Sequence, residues 1–403
     1  MNETLLNKLF ERQFKLLQHV STDFIRSVAD EIAWHVRLVG IRGVRGVGKT
    51  TLLLQYIKKN LDYRNRKVLY VSMDHILLSG QSLYGLAATF VRYGGKHLFI
   101  DEIHHYRNWH RELKNIYDDF PELQTVFTGS SLLNILDARA DLSRRALMYR
   151  MQGLSFREFL ALETGTEFPV YSLEQILENH REISMTVLAK LNPMAYFKDY
   201  LTFGYFPFFR EYRDLYHERL NEMINFLLEL ELPMLRQVDL AYIPKIKQLL
   251  GIIAVSVPFT PQITALSRKI GINRLTLLKY LHYLAESELI ITLYRDTQSV
   301  SLLQKPAKIY LENTNYMYAF SGDNVNPGNI RETFFVNQLR YRHKVALPAR
   351  GDFRVDGKWL FETGGRRKSS RQIQEQTDAF VVADDTDIGY GNKIPLWMFG
   401  FLY

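Results

Sequence analysis

No cysteine occurs among the 403 residues, which excludes disulfides, thiolate zinc sites and a cysteine nucleophile. No run approaches the roughly 18 consecutive apolar residues that a membrane-spanning helix needs, so no membrane partner is expected. The opening stretch MNETLLNKLFERQFKLLQ lacks the charged-then-apolar order of a secretory signal, because Glu3 and Glu11 interrupt its Leu and Phe residues. A cytoplasmic location is the resulting expectation. Repeats and low-complexity segments are also missing, and 47% hydrophobic with 23% charged residues is the composition of a folded chain. Such a length exceeds one compact core and predicts two or three domains. Acidic residues are in deficit, 43 against 51 basic ones, for a net charge of +8. The excess favours an acidic partner such as double-stranded DNA, although charge spread over so long a chain is also common in basic soluble proteins.

What is present is an alternation of short apolar runs with amphipathic stretches. A helical pattern from about Leu5 to Trp34 leads into Val36–Ile41, apolar on both faces and ending at glycines, the pattern of a buried strand. Thr50–Lys59 reads as a helix, Val68–Met73 as a strand, Leu83–Arg92 as a helix and His97–Ile100 as a strand. A helix from about Trp109 to Asp118 and a strand at Thr125–Thr128 complete the series. Strands alternating with helices predict an α/β region with a parallel sheet covered on both faces, ending around Gln152. From Leu154 to about Tyr242 helical spacing takes over. The aromatic-rich PMAYFKDYLTFGYFPFFREY within it suits packing in a helical core better than a base-stacking platform.

Between the first strand and the first helix of the alternation lies Gly43-Val44-Arg45-Gly46-Val47-Gly48-Lys49-Thr50, followed by Thr51. Its spacing is that of a P-loop: glycine, four free positions, then Gly-Lys-Thr. The glycines let successive backbone N–H groups point into one cavity, a nest for phosphate oxygens. Lys49 is placed to reach the β- and γ-phosphates of ATP, and the Thr50 hydroxyl to ligate Mg2+. The helix that begins there turns its positive end toward the phosphates. Downstream, the apolar strand His97–Ile100 runs into Asp101 and Glu102. Asp101 is placed to hold Mg2+ through water, and Glu102 to polarise the water that attacks the γ-phosphate. A glutamate in that role argues for hydrolysis and against a small-molecule kinase. Thr128-Gly129-Ser130-Ser131 follows another apolar strand. Ser130 is the candidate to orient the attacking water, the alternative being an ordinary strand-ending turn with a helix cap.

With these three elements in order, the chain resembles a family of bacterial and archaeal AAA+-like ATPases. The residues that carry the resemblance are GVRGVGKTTLL, HLFIDEIH, TVFTGSS and LSRRALMYRMQGLSFREFL, the last containing a Leu-Ser-Phe-x-Glu-Phe signature at Leu154–Phe159. LTFGYFP at Leu201–Pro207 is similar to the family's lid region. The resemblance implies a P-loop ATPase module followed by a helical lid, a winged helix and a restriction-nuclease-like α/β domain. The corresponding boundaries are 1–152, 153–242, 243–312 and 313–403. It also implies that Arg145 acts as a finger on the nucleotide of a neighbouring subunit in a homo-oligomer. Arg144 stands where the family often has glycine, so the choice between the two arginines stays open, as does a plain helix-capping role.

The residues themselves support a helix-turn-helix. Gln262–Ile272 reads as a helix ending at Gly271, and a second helix from about Asn273 to Glu286 has Asn273 as its cap. Helical spacing groups Leu275, Leu277, Leu278, Leu281 and Leu284 on one side and Thr276, Lys279, Tyr280 and Tyr283 on the other. Leu289–Arg295 would begin a wing. Such a module contacts either DNA or protein partners, and Lys279 with Arg274 is a thin base for binding phosphate. In the last region a helix is expected from Arg331 to Arg340, with strands near Phe353 and Trp359. The resemblance there implies carboxylates at Glu332, Asp352 and Glu362, but Glu362-Thr363-Gly364 lacks the lysine of a Glu-x-Lys motif. A degenerate nuclease site is the reading, with Lys368 as an alternative source of the amine. The cluster Arg366, Arg367, Lys368 and Arg371 reads either as a nucleic-acid contact or as a solvated loop. The function expected is thus an ATP- and Mg2+-dependent ATPase coupled to these modules. The alternatives are an ATP-dependent nuclease or DNA-binding regulator, and a nucleotide-occupancy switch with little hydrolysis.

Overall fold

The computed structural model describes residues 3–132, 142, 144–256, 258–296, 304–365 and 378–403. They divide into two compact units, Met1–Gln152 and Gly153–Tyr403. Among the described residues, no helix is long and apolar enough to cross a membrane.

In the first unit the alternation in sequence builds one parallel sheet. Its strands are β1 (Leu38–Arg42), β2 (Val68–Ser72), β3 (His97–Asp101), β4 (Gln124–Gly129) and β5 (Leu147–Arg150), in the spatial order β2-β3-β4-β1-β5. Parallel neighbours need crossovers. Helices α3 (Lys49–Asn60), α4 (Leu83–Arg92) and α5 (Trp109–Asp119) supply them, and α1 (Glu3–His19) and α2 (Val28–Glu31) precede β1. Because β4 lies between β1 and β3, the carboxyl ends of three strands stand side by side. Arg42 is opposite Gly129, and Ile100 opposite Phe127, so all three leave the sheet at nearly one level. In open α/β sheets that edge is where ligands bind.

The edge strand β2 has its exposed backbone closed by a side chain. Gln13 of α1 donates from Nε2 to the Val68 carbonyl at 3.2 Å and accepts the Tyr70 N–H on Oε1 at 2.5 Å. It does for β2 what a neighbouring strand would do.

The long N-terminal helix expected to Trp34 stops instead at His19. Just beyond, Ser21 Oγ donates to Asp23 and accepts the Asp23 N–H, a local bonding pattern that competes with helix. Gln55 of α3 then takes the carbonyls of Ser21 and Phe24, each at 2.8 Å. Strand β5 was not expected at all. It is a half-buried edge strand with one exposed residue, and so lacks the continuous apolar run that marks β1 to β4.

The second unit opens with helices α6 (Phe156–Thr164), α7 (Leu173–Leu188), α8 (Met194–Phe203), α9 (Tyr216–Phe226) and α10 (Leu232–Arg236). The aromatic segment packs inward: Phe197, Tyr200, Tyr205, Phe206 and Phe209 are all buried. A group of α11 (Ile243–Val255), α12 (Ile263–Ile270) and α13 (Arg274–Glu286) follows, with β6 (Ile290–Leu293) antiparallel to β7 (Lys308–Leu311). Phe259 bridges to Ile309 on the other side of β7. Gly271 closes α12 in the left-handed conformation, and Asn273 caps α13 through the Thr276 N–H. Two positions on α13 depart from the expected faces. Leu275 is 63% exposed and Tyr280 only 5%, because at about 100° of turn per residue Leu275 falls opposite Leu277, Leu281 and Leu284 while Tyr280 falls beside them.

After α14 (Thr314–Ser321), α15 runs Pro327–Leu339, starting earlier than the expected Arg331. Asn326 caps it by accepting two backbone N–H groups, with Pro327 at the first helical position. A mixed five-stranded sheet completes the unit, made of β8 (Val345–Ala346), β9 (Phe353–Val355), β10 (Trp359–Gly364), β11 (Ala379–Ala383) and β12 (Lys393–Pro395). The segments assigned from sequence to a lid, a winged helix and a nuclease-like domain all lie within this one compact unit.

Replacing Gln13 by Leu leaves a buried N–H and C=O of β2 unpaired. It should destabilise the first unit by about 2–3 kcal/mol, measured as a lower urea midpoint, whereas Gln13→Glu should recover part of the loss.

Candidate functional site

The loop after β1 is held from both sides. Val44 and Val47 are buried while Arg45 and Gly46 form its exposed crest. Gly46 and Gly48 sit at φ of 86° and 99°, where side-chain-bearing residues are strained. Gly43 is needed for space: a Cβ there would lie 2.0 Å from the Met151 carbonyl oxygen. Arg26, buried, donates to the Val47 carbonyl and to the Gln152 carbonyl, each at 2.8 Å, and so braces the loop from below. Gly48 is the cap of α3 and supplies no side-chain bond. The N–H groups of the first turn, Lys49 to Thr51, therefore face the loop's hollow, as at an anion-binding helix terminus.

Lys49 is only 4% exposed, with Nζ donating to the carbonyls of Gly43 (2.8 Å) and Val44 (3.1 Å). Nζ also stands 4.0 Å from Glu102 Oε1. Thr50 Oγ1 donates to Asp101 Oδ2 at 2.6 Å. The same oxygen accepts the Tyr70 hydroxyl at 2.8 Å, while Thr128 Oγ1 donates to Oδ1. Burial, then the neighbouring Asp101, raises the Tyr70 pKa well above its ordinary value, so its hydroxyl remains a donor. Thr50 and Asp101 form an all-oxygen donor set suited to a hard cation such as Mg2+.

Glu102 leaves β3 in the left-handed region at φ 51° and ψ 43°, a conformation that costs a non-glycine residue about 1 kcal/mol or more. Its N–H donates to Thr128 Oγ1 at 3.0 Å, which holds the turn. The carboxylate is 22% exposed, with Oε2 standing 3.3 Å from His104 Nε2. The His104 ring, fully buried, accepts the Ser130 N–H on Nδ1 at 3.3 Å. Its pKa is pushed down to about 3, chiefly by burial and then by the nearby His105, Lys49 and Arg45. Ser130 is itself buried, and its Oγ accepts the Leu132 N–H at 3.3 Å.

The structure thus brings together the loop Gly43–Thr50, Asp101, Glu102 and Ser130 at one sheet edge. Arg145 is elsewhere. Leu147 lies opposite Val39 in β1, which sets Arg145 at the amino edge of the sheet, with about 13 Å of strand between Val39 and Gly43, where the loop begins. There its guanidinium clasps Asp118, Nε to Oδ1 at 2.9 Å and Nη2 to Oδ2 at 3.0 Å. That hydrogen bonding holds the Asp118 carboxyl below its usual range. Arg144 is exposed.

Four residues of the site were missed in the sequence. Thr128 carries a signal, being the first hydroxyl of the TGSS run, and His104 follows the acidic pair by two residues. Arg26 and Tyr70 carry none, since only the fold places them.

The C-terminal carboxylates do not gather as expected of a nuclease. Among the described residues, the group of three metal-type side chains with donor atoms within 4.8 Å of one another is Glu102, His104 and His105. Glu332 accepts the Tyr310 hydroxyl at 2.6 Å with Lys308 Nζ at 3.5 Å, and Asp352 accepts the N–H and hydroxyl of Thr363. Glu362 is buried. Arg366, Arg367, Lys368 and Arg371 lie outside the described residues.

The family model described as an AAA domain matches residues 35–160. An uncharacterized protein of Methanocaldococcus jannaschii is 28% identical over 295 residues, covering 68% of this chain and 62% of that protein. The chain therefore spans under two thirds of the length of this curated relative. Among solved structures, AMPPCP-bound DnaA from Aquifex aeolicus is 15% identical with a TM-score of 0.26, covering 66% of this chain and 91% of that one. C. elegans PCH-2 is 18% identical with a TM-score of 0.24, covering 47% and 48%. At such scores these two likenesses carry no inference. The five-stranded parallel sheet fits a P-loop nucleoside triphosphatase fold, in keeping with the AAA-domain match over residues 35–160.

Gly43→Ala, whose methyl would collide with backbone rather than a movable side chain, should lower affinity for a fluorescent ATP analogue at least 10-fold, read by equilibrium titration. Gly46→Ala, strained in φ alone, should lose less.

Proposed function

We infer that the chain binds ATP with Mg2+ and hydrolyses it. The observation that carries this reading is the convergence of Lys49, Thr50, Asp101, Glu102 and Ser130 at the carboxyl edge of one parallel sheet, with Thr50 Oγ1 2.6 Å from Asp101 Oδ2. In this reading the N–H groups from Val44 to Thr51 cradle the phosphates, and Lys49 exchanges its loop carbonyls for β- and γ-phosphate oxygens. Thr50 and Asp101 hold Mg2+, Asp101 through water, and the ion when bound neutralises phosphate charge. Glu102 takes the proton of a water molecule whose oxygen attacks the γ-phosphorus, as the bond to the β-phosphate oxygen breaks. Ser130 orients that water.

Arg145 is the candidate finger for a neighbouring subunit. Its position at the far edge of the sheet keeps it from the nucleotide of its own chain, so the role requires a homo-oligomer and release from Asp118. Residues 243–312 are read as a winged helix. The support is the order of α11, the Phe259 bridge, α12, α13 and the β6–β7 pair, with Arg268, Lys269, Arg274 and Lys279 exposed. That face suits DNA phosphates or an acidic protein partner. The nuclease reading is weakened because Glu332 is engaged by Tyr310 and Lys308, and Asp352 by the N–H and hydroxyl of Thr363.

ATP hydrolysis should be measured for wild type and Glu102→Gln over a range of protein concentrations, with and without double-stranded DNA. The mutant should keep analogue affinity and lose turnover by 100-fold or more; rapid phosphate release by it would remove Glu102 as the base. Specific activity that rises with concentration in wild type, and stays low and flat in Arg145→Ala, is expected for a finger acting in trans. Tight ATP binding without turnover under all conditions would favour the occupancy switch.

A further inference from the structure

His104 has no part in the mechanism above, yet it lies between two of its members. Its ring is fully buried. The Ser130 N–H occupies Nδ1, so the proton of the neutral ring belongs to Nε2. Nε2 has no aligned hydrogen-bond partner, and the nearest acidic oxygen is Glu102 Oε2 at 3.3 Å. A buried N–H without a partner is costly, and a small rotation of the partly exposed Glu102 carboxylate would satisfy it. Glu102 is therefore drawn by Lys49 Nζ on Oε1 and by His104 Nε2 on Oε2.

Resting on the ATPase reading, we propose that His104 is a positioning residue that links Ser130 to Glu102. Ser130 holds the ring through its backbone N–H, and the ring's other nitrogen orients the carboxylate. Any shift of the 128–130 turn when a γ-phosphate is present is thereby passed to the base. When Lys49 turns to phosphate oxygens, the Oε1 attraction is lost while the His104 contact stays on the other oxygen.

The cluster Glu102, His104 and His105 also has the spacing of a transition-metal site. Two features oppose that use. The Lys49 ammonium 4.0 Å from Glu102 repels a dication, and the Ser130 N–H on Nδ1 commits the proton to Nε2, the nitrogen a metal would need.

The test compares wild type, His104→Ala and His104→Gln in the full-length protein; the glutamine amide supplies an N–H donor near the position of Nε2. His104→Ala should lower kcat about 10- to 100-fold, with the ATP KM and the analogue affinity unchanged within about twofold. His104→Gln should recover part of kcat. Unchanged kcat in His104→Ala would overturn the proposal, as would a parallel loss of kcat, nucleotide affinity and melting temperature that His104→Gln does not relieve. Inhibition of wild type by Zn2+ that disappears in His105→Ala would overturn it in favour of a metal site. A readout independent of turnover separates this proposal from the ATPase reading. In long-range proton–nitrogen spectra, the ring signal missing from His104→Gln should have the Nε2–H tautomer and move in Glu102→Gln. The opposite tautomer, or a signal indifferent to Glu102, would sink the proposal even if wild type hydrolyses ATP. The expected signal without ATPase activity would leave the linkage standing and remove the hydrolytic reading.

Discussion

The Asp101 carboxyl group, 2% exposed, is bonded by three hydroxyls from three different elements. A buried acidic group needs such partners to be tolerated. Thr50 brings the first turn of α3 to it, Tyr70 brings β2, and Thr128 brings β4. Each donor is fixed by its own backbone, so meeting the needs of one side chain sets the positions of the phosphate loop, the strand-end carboxylate and the serine turn together. The order β2-β3-β4-β1-β5 makes this possible by setting β4 between the strand that feeds the loop and the strand that carries Asp101.

Glu102 follows from the same arrangement. The Thr128 hydroxyl donates to Asp101 and accepts the Glu102 N–H, which uses its single proton and one lone pair. That second bond holds Glu102 in a left-handed turn which sequence preference would avoid. The chain then doubles back and places His104 under the serine turn. Strain of this kind persists only where surrounding bonds over-determine the backbone, and here the bonds come from the neighbouring strand. Charge on this edge is balanced rather than screened: Lys49 and Arg45 on one side, Asp101 and Glu102 on the other, and a histidine kept neutral by burial between them.

The second unit uses polar bonds differently, to order a core crowded with aromatic rings. Asn315 Oδ1 accepts the Tyr205 N–H at 2.8 Å and the Tyr216 hydroxyl at 2.5 Å, while its Nδ2 donates to the carbonyls of Tyr200 and Leu201. Tyr200 in turn donates to the Leu154 carbonyl and accepts from Gln338. Aromatic residues that sequence alone offered as either packing or a stacking surface are thus committed to packing, because their polar atoms are consumed inside the unit. Burial accordingly raises the pKa of Tyr200, Tyr216 and Tyr316 well above the ordinary value, which keeps those hydroxyls protonated as donors.

What the sequence by itself determined was local. The loop Gly43–Thr50 needs glycines because its backbone visits positive φ, strands β1 to β4 need apolar residues on both faces, and Asn273 marks a cap because a short polar side chain can reach the Thr276 N–H. These rules act over a few residues and were legible. Tertiary structure decided whatever depended on which strand lies beside which. It inserted β4 between β1 and β3, turned Thr128 toward Asp101, brought Arg26 and Tyr70 to the site and set Arg145 at the opposite edge. It also kept Glu332 and Asp352 tied to their own partners. Spacing along the chain carries no information about strand order, and a side chain's surroundings on a helix depend on what is packed against it. Those facts exist only once the sheet has formed and the helices have docked.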